Sequence, residues 1–403
     1  MENSKVIIVG AGASGLAAAH HLTAHGIGVT VLEARNRPGG RIHTIHDSDF
    51  SFPVEGGAEF VHGDLPETLR LLAEAGIPLI PAGGQMFRSI GGKWQTEFER
   101  IPHWNELMSA MASLTEDLSL ATFLETRFPG EPYAGLRNSA RGFAEGYDLA
   151  DIRTASTMML FREWTREEGA QHRVEGGYGR LIDYLAAGIP IHTGVEVRDI
   201  TWSPGSVTIA GYAGNAALIT VPLGVWPYLR FSPELPDYAH AAAALGFGSV
   251  IRVLLEFNKP FWDKQMGFLL SDQAIPTWWT QAPTSLPLLT GWLPGSKAKP
   301  LEGRPSGDIL ATALSSLEGI FGFKPVPKAR RVEDWSQDPY ARGAYSFPTV
   351  GEDAPRRLLN TPVDNTLYFA GEALYEGDHT PGTVEAALVS GLAAAERIVD
   401  TRG

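Results

Sequence analysis

The chain contains no cysteine. That excludes disulfides, thiolate metal ligands and a cysteine nucleophile, and no metal site is expected. No apolar run approaches the ~18 residues of a spanning helix. The first strand-forming run starts within a few residues of Met1, leaving no room for a signal peptide. A cytoplasmic protein with no membrane partner is the expectation. Positive charge is also scarce: 33 Lys and Arg against 46 Asp and Glu leave a net charge of -13. This argues against a nucleic-acid partner and is compatible with small cationic ligands, although ordinary solubility of an acidic protein accounts for it better than steering does. Internal repeats, low-complexity stretches and charge blocks are absent too.

What is present is a chain of 403 residues, longer than one ordinary domain, with 44% hydrophobic and 20% charged residues. Its most informative stretch is the first. Lys5-Val6-Ile7-Ile8-Val9 runs into Gly10, Gly12 and Gly15, spaced G-x-G-x-x-G, and an Ala-rich helical pattern follows. A strand, tight turn and helix are the context in which that spacing means dinucleotide binding. Gly10 permits the turn, Gly12 lets backbone approach a pyrophosphate, and Gly15 lets helix pack on strand. A second strand, Val29 to Leu32, ends in Glu33, an acidic acceptor placed for a ribose hydroxyl. Ala34-Arg35 and Gly39-Gly40-Arg41 then offer a second backbone approach with fixed positive charge. In Val54 to Gly63, small residues in a row suggest backbone pressed against a flat ligand, with Glu59 and His62 facing what lies above it.

Residues from about Trp104 to Thr165 carry helical periodicity and break the αβ alternation, which marks an inserted domain. Arg173 to Leu181 returns to a glycine turn opening a helix, followed by strands at Gly194 to Ile200 and Ala217 to Pro222. Strand-like pieces at Val250 to Phe257 and around Met266, Thr277 and Leu288 suggest an antiparallel sheet, and Asp308 to Phe321 an amphipathic helix. A last strand, Leu367 to Glu372, precedes Thr380-Pro381-Gly382-Thr383, which opens the final helix and gathers free N–H groups at one point. The expected fold is α/β: a Rossmann-like domain of residues 1–85, 173–245 and 335–403, with an inserted α+β substrate domain of residues 86–172 and 246–334.

These motifs, in this order, resemble those of the flavin-containing amine oxidase family, which includes monoamine and polyamine oxidases and flavin-dependent lysine demethylases. The resemblance implies that Gly10, Gly12, Ala13, Ser14, Gly15, Glu33, Ala34, Arg35, Gly40 and Arg41 hold the ADP half of FAD, with Val197 at the adenine. It places Gly57, Ala58, Glu59 and Phe60 along the flavin and Trp335 near its ring. Gly371 and Glu372 would meet the ribityl–phosphate region, and Gly382, Thr383 and Val384 the pyrimidine edge.

The implied chemistry is hydride transfer from the carbon beside an amine nitrogen to flavin N5, hydrolysis of the imine, and reduction of oxygen to peroxide. Tyr345, Arg252, His62 and Glu59 are expected nearest the chemistry. Ala344 stands where monoamine oxidases carry the flavin-linked cysteine, so FAD is expected to be non-covalent. Tyr345 matches one aromatic wall over the ring, whereas Thr383 stands where the other would be. Arg252 replaces a lysine that the family uses in the reaction with oxygen. The alternative is therefore a dehydrogenase or desaturase of the same fold that uses another acceptor. Pocket candidates in the inserted domain are Glu145, Phe161, Trp164, Trp278, Trp279 and Trp292, each equally readable as core.

Overall fold

Lys5–Val9 is a central strand, its apolar side chains shut away from solvent on both faces. In the computed structural model, which describes residues 5–96, 101–166, 169–377 and 380–402, it pairs in parallel with Gly28–Leu32 on one side and Ala216–Ile219 on the other. Ile191–His192 and Leu367–Phe369 complete a five-stranded parallel sheet drawn from three separated parts of the chain. Burial on both faces is why these strands are runs of Val, Ile and Leu rather than alternating patterns. Asp378 and His379, just before the Thr380-Pro381-Gly382-Thr383 run, lie outside the described residues.

The helix Ala13–Ala24 crosses between the first two strands and packs along the last helix, Val384–Arg402. Gly391 permits that approach, because a Cβ there would overlap the carbonyl of Ser14. Glu385 reaches across from the last helix to the helix Pro66–Glu74. It accepts from the N–H groups of Glu67 at 2.9 Å and Thr68 at 2.7 Å, both otherwise unsatisfied at a helix start.

A seven-stranded sheet forms the second layer system, in the order Ala329–Asp334, Val250–Glu256, Leu288–Pro294, Thr277–Trp279, Met266–Ser271, Gln85–Ile90 and Lys93–Gln95. Its pairs are antiparallel except Met266–Ser271 with Gln85–Ile90. Alternation along Val250–Glu256 sends Ile251, Val253 and Leu255 into a core shared with Ile309, Ala313 and Leu317 of the helix Ser306–Phe321. Arg252 therefore points to the opposite face. Four helices between Trp104 and Thr165 build their own core around Leu107, Phe123, Ala140 and Leu160.

Two expected strands differ from those observed. Residues 195–198 form no strand; Gly194 and Val195 donate to the carbonyls of Arg35 and Glu33, and the strand begins only at Asp199. The last parallel strand ends at Phe369 rather than Glu372. Gly371 has φ 151, and Glu372–Leu374 coils into a short 3-10 turn. In both cases the chain leaves the ladder to run along a cavity.

Candidate functional site

A cavity of about 1830 Å³ extends from the ends of Lys5–Val9 and Gly28–Leu32 to the helical block at Trp104, Phe143 and Trp164. It is lined by every residue named above as catalytic or cofactor-binding, with the exception of Gly15. A Cβ on Gly15 would overlap the carbonyl of Gly10, so its part is the helix–strand approach rather than contact with a ligand.

At one end, Gly10 turns with φ 107, and the helix from Ala13 has no side chain capping its free N–H groups. A Cβ on Gly12 would meet nothing within 4 Å, and the buried Ser14 Oγ lacks a hydrogen-bond partner. Open room and unsatisfied donors at a positive helix end suit a diphosphate. Glu33 is fixed by accepting from the N–H groups of Ala11 at 2.9 Å and Arg35 at 2.8 Å. Arg35 pairs with Asp338 and lies 5.5 Å from the Tyr340 ring. The extended run Val195 to Arg198 closes this end. These residues fit a dinucleotide.

In the middle, Arg41 Nη1 donates to Glu372 Oε1 and to the Ala344 carbonyl, each at 2.7 Å, so the second glycine turn is tied to the C-terminal motif. Gly57 lies against the Arg41 carbonyl too closely to admit a Cβ, and Trp335 Nε1 donates to Gly56 O at 3.0 Å.

Glu59 is the hub. Its Oε1 accepts from Arg173 Nε at 2.9 Å and Gln281 Nε2 at 3.1 Å, and its Oε2 from Arg252 Nη2 at 2.5 Å and Trp279 Nε1 at 3.0 Å. Burial alone would raise this carboxyl, but the guanidiniums of Arg173 and Arg252 hold it below the usual range. Glu59 is thus a fully engaged anion, and it lines the cavity beside Phe60. Arg252, 2% exposed, also donates to the Gly57 carbonyl. Arg173 and Gln281 escaped the sequence reading. Arg173 sits opposite Phe60 in a three-stranded sheet, and only that long-range pairing brings it to Glu59.

Toward the helical block the lining turns aromatic. Tyr345 is held by its carbonyl, which accepts from Gly248 N–H at 2.8 Å, and by its hydroxyl, which donates to Tyr147 O at 2.7 Å. Trp292 stacks with it at 6.4 Å between centroids, and Trp279 lies 5.8 Å from Trp292. Phe60 and His62 continue this surface, their rings 5.7 Å apart.

Of the six pocket candidates, Trp164, Trp279 and Trp292 line the cavity. Trp278 is wholly buried in the sheet core, Phe161 packs among the helices, and Glu145 accepts from Ser296 away from the cavity. Two acids missed from the sequence line it instead, Asp148 and Glu163. Asp148 Oδ2 accepts from Trp164 Nε1 at 2.9 Å. Burial, then Asp148 and Glu352, pushes the Glu163 carboxyl well above the ordinary range. No spacing in the sequence marks either.

Gly382 has φ 79, and a Cβ there would crowd the Ser346 carbonyl and the Tyr345 ring. Thr383 caps the last helix by accepting from Ala386 N–H at 3.1 Å, while also lining the cavity.

Residues 13–399 match the model of a family described as flavin containing amine oxidoreductase. Polyamine oxidase 2 of Arabidopsis thaliana is 30% identical over 97% of this chain and 87% of its own length. Lysine-specific histone demethylase 1 homolog 3 of the same plant is 29% identical over 99% of this chain, which spans only 30% of that larger relative. Among solved structures, a triple mutant of putrescine oxidase superposes with a TM-score of 0.84 at 21% identity, covering 99% of both chains. Cyclohexylamine oxidase from Brevibacterium oxydans IH-35A gives 0.83 at 22% identity over 99% of both. At these identities the solved structures establish the shared fold.

Proposed function

The chain belongs to the flavin containing amine oxidoreductase family, and from that premise we propose that it is a FAD-dependent oxidase of amine C–N bonds. The observation that carries the proposal is one continuous cavity. It joins a diphosphate-sized cradle at the Gly10–Ser14 turn to an aromatic chamber bearing two carboxylates. The division into a FAD domain of residues 1–85, 173–245 and 335–403 and a substrate domain of residues 86–172 and 246–334 is part of the proposal.

Gly10, Gly12, Ser14, Glu33, Arg35 and Arg41 would hold the ADP portion, Val197 the adenine side, and Gly57 to Phe60, Glu372 and Gly382 to Val384 the flavin portion. Attachment is non-covalent at the position of Ala344, since the chain has no cysteine to supply a thioether. When bound, the flavin supplies a two-electron acceptor for hydride from the carbon beside the nitrogen and delivers those electrons to oxygen.

The protein orients and dries the substrate. Tyr345, Trp292 and Trp279 give the amine a rigid apolar wall, and a neutral amine with its lone pair available is the reactive form. Glu59 and Arg252 are positioning residues: the ion pair and the bond to the Gly57 carbonyl fix the backbone from Gly57 to Phe60. His62 sits beside Phe60 at the substrate side of that backbone. Hydrolysis of the released imine needs only water.

A second reading has one observation in its favour. Arg252 is committed to Glu59 and Gly57, so it is not a mobile cation waiting beside the ring. A dehydrogenase using an acceptor other than oxygen follows if that cation is required for the oxygen step. A cytoplasmic location remains a proposal, testable by cell fractionation; among the described residues no helix is long and apolar enough to cross a membrane. The purified protein should be yellow and release FAD on denaturation. A colourless protein that takes up no FAD would refute the proposal.

A further inference from the structure

We propose that the aromatic corner built by residues 257–264 and 321–331 is a docking surface for an anionic lipid membrane. None of these residues lines the cavity, so the proposal is independent of the amine reading. Lack of an apolar run long enough to span, the ground for expecting no membrane partner, does not bear on a surface contact.

The two segments meet at one end of the seven-stranded sheet. Glu256 pairs with Ala329, and Lys328 N–H donates to the Glu256 carbonyl at 2.7 Å. The chain leaving the strand Val250–Glu256 therefore lies beside the chain entering Ala329–Asp334. Phe261 stands at the centre of a ring cluster, 4.9 Å from Phe257 and Phe321, 5.0 Å from Trp262 and 5.2 Å from Phe323. Trp94 on the edge strand lies 5.2 Å from Phe321. Phe257 belongs to the core beneath, but Trp94 is 43% exposed, Phe323 47% and Val326 82%. Pro325 and Pro327 stiffen the chain on either side of Val326. Exposed apolar groups gathered in this way mark an interaction surface.

Charge sets this corner apart. The two segments hold Lys259, Lys264, Lys324, Lys328, Arg330 and Arg331 against Asp263 alone, a net +5 in a chain of net charge -13. Lys328 pairs with Glu256, and Arg331 with Asp47 and Glu333. Lys259, Lys264, Lys324 and Arg330 are exposed and form no ion pair among the described residues. The exposed acids along these segments and the adjoining helix end are Asp263 and Glu318, so unpaired cations are in excess.

Cations around apolar tips match the headgroup layer of an anionic bilayer. Lysine and arginine meet the phosphates and carboxylates there, while rings and aliphatic tips reach the acyl boundary. A second copy of the same face would set lysine against lysine. A nucleic acid would stack on the rings but leaves Val326 without a role, although it is the most exposed of the large apolar residues described. Screening over about 8 Å at physiological ionic strength makes the attraction local, so the acidic remainder of the chain does not cancel it.

The test is co-sedimentation of the holoenzyme with vesicles of phosphatidylcholine, alone or with about a third phosphatidylserine. The expected result is binding about tenfold or more stronger to the anionic vesicles, weakening as salt rises. Val326→Asp and Lys324→Glu should each lower that binding about tenfold. Both should leave melting temperature and flavin content unchanged, because the two side chains are exposed and lie outside the cavity lining. Polyglutamate, a soluble polyanion, reads the charge attraction alone. Failure to bind the anionic vesicles, equal binding to neutral ones, or binding that survives both substitutions overturns the proposal. Retention by polyglutamate without vesicle binding also overturns it and assigns the corner to an acidic macromolecule.

Discussion

Arg252 and Glu59 form an ion pair of 2.5 Å with 2% and 4% of their side chains exposed, across 193 residues of sequence. The same carboxylate binds Arg173, so two guanidiniums depend on one anion.

Removing that anion should therefore be severe. Glu59→Gln leaves the buried Arg252 and the half-buried Arg173 facing a neutral amide, with an expected loss of about 3–5 kcal/mol. Chemical denaturation reads it. The pH dependence has a definite sign, because the folded carboxyl lies below its unfolded value. The pair's contribution is complete above the unfolded value of about 4.3. It is lost as pH falls through the lower folded value. Acid titration of stability should show a step in wild type that Glu59→Gln lacks.

Gly12 and Gly382 separate ligand from protein. A side chain at Gly12 meets open cavity, so Gly12→Val should keep the fold and melting temperature of the flavin-free protein while abolishing FAD retention. Gly382→Leu strains a φ of 79 and strikes Tyr345 and the Ser346 carbonyl, so it should also destabilise the flavin-free chain. Flavin content and melting curves on both variants check this. Normal FAD content in Gly12→Val would contradict the assignment of the cradle.

Tyr345→Ala should retain FAD yet slow anaerobic reduction by amine, on the order of 10–100-fold, because the substrate loses its wall and its alignment. Tyr345→Phe keeps the ring and loses only the bond to Tyr147 O, so it should stay within a few-fold of wild type. Stopped-flow absorbance distinguishes them.

Glu385→Ala removes a buried acceptor, 1% exposed, from the N–H groups of Glu67 and Thr68 and the Thr68 hydroxyl. The expected cost is about 3 kcal/mol, from unsatisfied donors at a helix start. Thermal unfolding would show it.

How much of this was legible in the chain follows from what carried the signal. The Gly10–Gly15 turn and Glu33 are local: spacing alone puts them at the end of a buried strand. The parallel sheet followed from runs such as Val6 to Val9, whose burial on both faces leaves no alternation. The Glu59 hub was half legible. Its glycine-rich surroundings marked the backbone, but its partners Arg173, Arg252, Trp279 and Gln281 come from three separate strands and a loop. Asp148 and Glu163 were not legible at all, because an acid beside an aromatic, on a helix as Glu163 is or just past one as Asp148 is, reads as an ordinary solvent-facing group until the fold turns it inward. Residues 195–198 and 370–372 were misread for the converse reason. They look like continuations of a strand, but residues 195–198, Gly371 and Glu372 line the cavity rather than extend a ladder.

The central claim is tested most directly by mixing the oxidised holoprotein, without oxygen, with a panel of mono-, di- and polyamines while recording flavin absorbance, and then admitting air. Bleaching by at least one class of amine is expected, then recovery of the yellow colour with one peroxide formed per flavin. A flavoprotein that no amine bleaches would contradict it.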